Sequence, residues 1–440
     1  MGKFKVPYVD IPTEIKPQKN LILEAVSKVL DSGQYIQGPE VKEFEEKFAT
    51  LCNTQFATGV ASGTCALHLL FKKLNLKGSD EIITVPNSFI ASAAAIANSG
   101  GIPKFVDIGK DGNIDVEKLE SAITENTRAI LPVHLTGRPA RVDRIMDLVK
   151  DRPILVIEDA AQAVGAKLNG QAVGGLGHAA CFSLHPLKNM RAFGDGGMLT
   201  SSDEEIIQFV SKIKNHGLAN RDQCDFWGFN CRLDEVHAAM LNVQLNRFTE
   251  LTDLRRKIAF RYNESLKEYV EVPIENHGEY CVYQTYVIKT KRRDELQAFL
   301  RENGVEVLVH YKNPIFSQPS AKNLDINLVK KPKSSPFFGE SDKCLRIRRL
   351  RFLDNRPCVL EEIHLDSIKT DGLKFDNISQ SIYLFYKDIL NLRITAAKDS
   401  ATLLGVPVWS PKEFKVMNSQ ETVCIERLAY DQVGAPVEFS

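Results

Sequence analysis

With 440 residues, 43% of them hydrophobic, the chain is long enough for two or three domains with buried cores. Fifty-six Lys and Arg balance fifty-six Asp and Glu, so no overall field recruits nucleic acid or a membrane surface. The nine cysteines form neither CxxC nor a His/Cys cluster, which points to reduced thiols and a reducing compartment. The N-terminus MGKFKVPYVDIP has no apolar signal region, and no window approaches the roughly 18 apolar residues of a membrane span, so the expected location is the cytoplasm.

Helical patterns run over 19–31 and 40–51, the second opened by Pro39, whose fixed φ suits a helix start. The stretch between them, Ser32 to Gly38, carries Tyr35 and reads as a connection. After SGT at 62–64, the spacing of Ala66, Leu67, Leu70, Phe71 and Leu74 predicts an amphipathic helix. Gly63 and Thr64 thereby fall at a helix N-terminus, which serves either as a plain N-cap region or as a seat for a phosphate.

Apolar runs at about 81–85, 103–106, 129–133, 154–158, 179–184 and 197–200 alternate with helical segments, the rhythm of a mostly parallel sheet covered on both faces. Phe89 follows the first of these runs. His134 and His185 fall near the carboxyl ends of two others, where each is either an ordinary hydrogen-bonded histidine or part of a site. A polar stretch from His216 to Arg232 precedes a long helix beginning near Leu233. Residues 250–312 read as a helix, a strand at Val282–Ile288, a helix at 293–303 and a strand from Val305 to Tyr311.

Two charged residues stand out. Asp159 closes the apolar strand 154–158, and Lys188 follows the apolar run 179–184 and precedes the turn GDGG at 194–197. At the carboxyl ends of neighbouring strands, both point into the crevice where α/β sheets bind ligands. Pyridoxal phosphate needs such a pair, a lysine to hold it as a Schiff base and a carboxylate to keep its ring nitrogen protonated.

The motifs SGTCALHLL, PNSFIASAAAI, EDAAQAVGA, FSLHPLKN, GDGG and GFNCRLDEVHAAML, in that order from about residue 7 to about 320, resemble the DegT/DnrJ/EryC1/StrS sugar aminotransferases. The resemblance implies an α/β fold, that of fold-type-I pyridoxal-phosphate-dependent transferases. It also implies transfer of an amino group from glutamate or glutamine to a nucleotide-linked keto-sugar. Members that dehydrate sugars carry histidine where this chain has Lys188, so the lysine favours transamination. Carried over residue by residue, Gly63, Thr64 and Ser183 form a phosphate cup, Phe89 stacks on the cofactor ring, and Gln162 contacts it beside Asp159. Asn230 reaches the cofactor phosphate of a neighbouring subunit, which implies a homodimer. Tyr35, His134, His185 and Tyr311 are the candidate substrate contacts. The family usually has histidine at the position of Phe316, which puts the nucleotide contacts in doubt.

Residues 1–248 are thus expected to be a cofactor-binding large domain and 249–329 a small, apparently truncated lobe. The basic, proline-punctuated stretch KKPKSSP opens an expected linker over 330–341. Over 342–440, two strand-turn-strand units, Ile347–Phe352 to Pro357 and Ile425–Tyr430 to Pro436, flank a helical middle at Ser381–Leu390. This part resembles a clipped UTRA domain, the effector-binding module of GntR-type regulators, and implies a small-molecule effector. Arg346, Arg348, Arg349 and Arg351 alternate across opposite strand faces and read as a solvated strand. Two rival readings are a ligand-sensing regulator whose aminotransferase-like part only binds cofactor, and a compromised fusion of two truncated genes.

Overall fold

The computed structural model describes residues 4–318, 325–332, 336–353, 356–370, 386, 390–404, 406–407, 410 and 422–440. It divides into two compact units, 1–315 and 316–440. Among the described residues no helix is long and apolar enough to cross a membrane.

The first unit is built on a seven-stranded sheet. Its strands are β1 (Phe56–Val60), β2 (Glu81–Thr84), β3 (Ile102–Phe105), β4 (Thr127–Ile130), β5 (Leu155–Asp159), β8 (Ala179–Ser183) and β9 (Gly197–Ser201), in the order β1-β9-β8-β5-β4-β2-β3. Along the order β3-β2-β4-β5-β8 neighbours pair in parallel, whereas β9 is antiparallel to both β8 and β1. The expected mostly parallel sheet is therefore present, with β1 as a strand that its short, Gly- and Thr-containing sequence does not announce.

Both faces are covered, as continuous apolar strands require. Consecutive residues face opposite cores: Ala180, Phe182 and Leu184 lie in one cluster, Ala179 and Cys181 in another. Helix α1 (Ile11–Ile15) and α2 (Lys19–Ser32) precede α3 (Pro39–Cys52), whose Val41, Phe44 and Phe48 line one stripe against Phe182. On the other face, α4 (Gly63–Lys73) buries Ala66, Leu67, Leu69, Leu70 and Phe71. Helices α5 (Ile90–Asn98), α6 (Val116–Ala122), α7 (Val142–Val149) and α8 (Glu204–Ile213) complete the crossovers, and α9 (Glu235–Leu245), α10 (Phe248–Leu266) and α11 (Arg293–Glu302) follow.

Short strands decorate this frame: β6 (Lys167–Leu168), β7 (Gln171–Ala172) and β12 (Glu279–Tyr280) form one sheet, and β10 (Leu218–Asn220) pairs with β11 (Gln223–Cys224). The expected strands at Val282–Ile288 and Val305–Tyr311 do not form. Their backbone groups are met elsewhere. Val282 donates to Gly137 O at 3.0 Å, Tyr283 adopts φ of 47°, and Val305 makes a single bridge to Val6. A chain whose hydrogen bonds go to loops has no partner strand left to define a ladder.

The second unit is an antiparallel sheet of six strands, β13 (Asp325–Lys330), β14 (Lys343–Leu353), β15 (Arg356–Asp366), β16 (Ala396–Leu404), β17 (Thr422–Tyr430) and β18 (Pro436–Phe439), in the order β13-β14-β15-β18-β17-β16. The two strand-turn-strand units read from the sequence are β14–β15 and β17–β18. Asp325–Lys330, assigned from sequence to the preceding lobe and linker, here pairs with β14, and Lys331 ion-pairs with buried Asp366 at 2.8 Å. Arg348 and Arg349 sit opposite Glu362 and Glu361 and pair with them across the hairpin. The helical middle at Ser381–Leu390 lies, apart from Tyr386 and Leu390, outside the described residues.

Phe182 is fully buried and meets the Phe48 ring edge-on at 5.0 Å. Phe182→Ala should remove about 3–5 kcal/mol of stability from the first unit through lost burial and a residual cavity. Urea unfolding followed by tryptophan-independent far-UV circular dichroism measures this, and a loss below about 1 kcal/mol would contradict the core assignment.

Candidate active site

Asp159 stands at the last position of β5, where its N–H donates to Pro132 O at 2.9 Å and its carbonyl accepts from His134 N at 3.0 Å. The side chain is buried, at 5% exposure. Oδ1 accepts from Ala161 N at 3.2 Å, and Oδ2 accepts from Ser92 Oγ at 2.7 Å. Ser92 in turn shares a 2.8 Å hydrogen bond with Ser88 Oγ.

On the neighbouring strand β8, the chain turns after Ser183, and the Lys188 N–H closes that turn on His185 O at 2.8 Å. Lys188 is half-buried. Burial pushes its ammonium below the usual lysine range, while the Asp159 carboxylate works in the opposite direction. The two side chains therefore share one electrostatic environment, as the sequence implies. His310 is held below its ordinary value by burial and by the Lys188 charge, and burial together with Asp159 pushes the Tyr311 phenol up to about 12.

Around this pair the loops supply walls. Gln162 Oε1 accepts from Thr136 N at 2.7 Å, and Gln162 Nε2 lies 3.4 Å from Tyr311 Oη. The Phe89 ring is 6.0 Å from that of Tyr311, and the Tyr8 ring is 5.8 Å from His310. Phe89 is 55% exposed, so its ring is not part of the packed core.

The third component is a cradle. Ser62 caps α4 by accepting from Cys65 N at 3.1 Å, so Gly63 and Thr64 supply first-turn N–H groups that the helix itself cannot satisfy. Antiparallel pairing of β9 brings Gly197 between Val60 and Ser183. The approach is close enough that a Cβ on Gly197 would meet Ser62 C at 2.3 Å, and one on Gly63 would meet Ser183 Cβ at 2.9 Å. Thr64 remains exposed at the mouth. An amine and a carboxylate in one field, an exposed ring, and a glycine-lined helix N-terminus beside a serine hydroxyl fit pyridoxal phosphate, group for group.

Other candidates lie differently. His134 is fully buried, with Nε2 2.9 Å from Glu158 Oε2 and Nδ1 accepting from Ala140 N at 2.9 Å. Both ring nitrogens are engaged, so His134 holds the strand end in place and has no nitrogen left for substrate. His185 is exposed, and its Nδ1 accepts from Leu187 N at 3.2 Å within the turn that presents Lys188. Tyr35 is 49% exposed, with its backbone carbonyl tied to Glu235 N at 3.1 Å. Asn230 is exposed and bridges Asn215 at the end of a segment that carries the 95% exposed Trp227. Ser88, Ser92, Tyr8 and His310 are site residues that sequence reasoning did not single out. The serines' helical i, i+4 spacing within PNSFIASAAAI is the signal that could have found them.

Comparison with known proteins matches residues 17–337 to the model of the DegT/DnrJ/EryC1/StrS aminotransferase family and residues 318–440 to the UTRA domain. The chain is 39% identical over 341 residues to the pleiotropic regulatory protein of Geobacillus stearothermophilus, covering 76% of this chain and 92% of that protein. It is 36% identical over 317 residues to a UDP-2-acetamido-2-deoxy-3-oxo-D-glucuronate aminotransferase of Pseudomonas aeruginosa, covering 72% and 88%. The crystal structure of S. venezuelae DesV in complex with a ketimine intermediate superposes with a TM-score of 0.71 at 34% identity, covering 73% of this chain and 87% of that one.

The direction of the Lys188 shift generates a test. Covalent capture of pyridoxal phosphate needs the neutral amine, so its rate in the apoprotein should rise with pH and level off below the ordinary lysine value of about 10.4. Asp159→Asn removes the charge that raises the Lys188 value, so its plateau should come at lower pH still. Stopped-flow absorbance with Lys188→Ala as the blank measures both curves, and a plateau that moves upward in Asp159→Asn would contradict the assigned field.

Proposed function

The chain belongs to the DegT/DnrJ/EryC1/StrS aminotransferase family and is a pyridoxal-phosphate-dependent sugar aminotransferase, and we propose that it moves the amino group of glutamate or glutamine onto a nucleotide-linked keto-sugar. The observation that carries this reading is a half-buried Lys188, in the loop that follows β8, within the field of the buried Asp159 carboxylate at the end of the adjacent strand β5. The P. aeruginosa relative, named for a UDP-linked 3-oxo sugar, supports the acceptor class.

When bound, pyridoxal phosphate supplies an electron sink for the electron pair left by loss of the donor's α-proton. Lys188 would hold the cofactor through Nζ. Once released, Nζ would carry the proton from the donor α-carbon, and burial favours the neutral amine that this base needs. Asp159 would face the ring nitrogen and keep it positively charged. Gly63, Thr64 and Ser183 would take the phosphate, Gln162 would fix the loop over the site from its bond to Thr136, and Phe89 would cover the ring. Asn230 of the partner subunit would complete the phosphate contacts, which makes the working form a homodimer.

All of these residues lie within the unit 1–315. We assign the second unit the binding of a small-molecule effector, on the strength of its UTRA match. A second reading, a ligand-sensing regulator in which the first unit merely holds cofactor, draws on that same match and on the regulatory relative from G. stearothermophilus.

Incubation with glutamate or glutamine and a panel of UDP- and dTDP-linked keto-sugars separates the two. The enzyme reading expects 2-oxo acid and amino sugar in equal amounts, and a loss of at least about 10²-fold in Asp159→Asn, the scale of removing one preorganised charge partner. No turnover with any acceptor, beside specific retention of DNA, would favour the regulator. Mixing Lys188→Ala with Asn230→Ala under subunit exchange should restore part of the activity, since one hybrid site is intact, and a fully active monomer would remove the basis for the shared site.

A further inference from the structure

We propose that Ser92, aligned by Ser88, is a positioning residue that keeps Asp159 charged and aimed for its task at the cofactor's ring nitrogen, an inference that rests on the role assigned to Asp159 above. Ser92 is 1% exposed and Ser88 5% exposed, and the two hydroxyls form a line ending on Asp159 Oδ2, with steps of 2.8 and 2.7 Å. The polarity of that line follows from the donor inventory. An ionised carboxylate only accepts, so the single Ser92 proton goes to Asp159, and the Ser92 oxygen is left to accept from Ser88.

The sequence around Ser92 sharpens the point. It stands in the helical run IASAAAIAN of α5, where alanine would be the better helix former and an unpaired hydroxyl would carry a desolvation cost. The hydroxyl instead finds the Asp159 carboxylate at the last position of β5, 67 positions away in sequence. Together with Ala161 N on Oδ1, Ser92 gives each carboxylate oxygen one donor and leaves each a further lone pair.

A hydrogen bond donated to the charged form of an acid favours that form. Asp159 can keep the ring nitrogen protonated only while it remains the anion of the pair. Without Ser92, Oδ2 loses a donor and takes a proton more readily, so the proton shared with the ring nitrogen moves toward Asp159. Removal of Ser92 should therefore weaken the electron sink without changing how the nucleotide-linked sugar is gripped.

The test uses the full-length holoprotein reconstituted with pyridoxal phosphate labelled with ¹⁵N in the ring, whose resonance reports protonation of that nitrogen directly. Wild type should show the protonated position, and Asp159→Asn should move it to that of a neutral ring. Ser92→Ala should move it in the same direction and lower kcat by about 10-fold, the scale of one hydrogen bond to a charged group, with KM for the sugar unchanged. Ser92→Thr, which keeps the hydroxyl, should restore the resonance. If Ser92→Ala fails to fold or to hold cofactor, Ser88→Ala, which only removes the donor to Ser92, should give a smaller shift of the same sign. A resonance that moves in Asp159→Asn but in none of the serine variants overturns the role of Ser92 alone. A resonance already at the neutral position in wild type, or unmoved by Asp159→Asn, overturns the Asp159 reading and this inference with it.

Discussion

Two consecutive carboxylates at the end of β5 hold the first unit together around its site. Strand alternation sends them to opposite sides. Glu158, fully buried, accepts from Gly174, Leu176 and Gly177 N–H groups at 2.9–3.0 Å and meets His134 Nε2 at 2.9 Å. These bonds fasten the strand end from behind. The Asp159 carboxylate then has little freedom, because its backbone is pinned between Pro132 and His134. A carboxyl group so buried needs hydrogen-bond donors, and Ser92 and Ala161 provide them.

The cradle depends on a different constraint, the reversal of β9. An antiparallel strand between β1 and β8 lines up Val60, Gly197 and Ser183 across the sheet. The start of α4 is thereby pressed against Gly197 at distances that leave no room for a side chain. The same reversal allows Leu184 N to bond Gly196 O at 2.8 Å and Ala192 N to bond Leu184 O at 2.7 Å, closing the loop that carries Lys188. The loop that carries Lys188 and the start of α4 are thus both held by backbone contacts around β9.

Much of this was legible from residue patterns, for reasons tied to particular positions. Asp159 and Lys188 stand out because each comes shortly after a largely apolar run, ILVI at 154–157 and AACFSL at 179–184, and Gly63 because a 3.6-residue period begins there. The strand β1, FATGV, is short and interrupted by Thr58 and Gly59, so its pattern is weak. The 282–288 run is rich in β-branched and aromatic residues like a strand, yet its backbone is drawn to Gly137, a long-range pairing that local sequence cannot reveal. His134 could not be told from a ligand-binding histidine until Glu158 was seen beneath it. The Ser92 contact to Asp159 likewise exists only once α5 is laid against β5. In the C-terminal unit the two hairpins were readable from their turn residues, whereas β13 was hidden because all of it but Lys330 falls in the segment read as the preceding lobe, just before the lysines and prolines that suggest a linker.

The central claim is that Lys188 is the residue that holds pyridoxal phosphate. Borohydride reduction of the holoprotein followed by peptide mass mapping tests it most directly, because reduction fixes the cofactor to whichever lysine carries it. The account predicts a pyridoxyl group on Lys188 alone, and none after Lys188→Ala. A pyridoxyl group stoichiometrically on another lysine would contradict it.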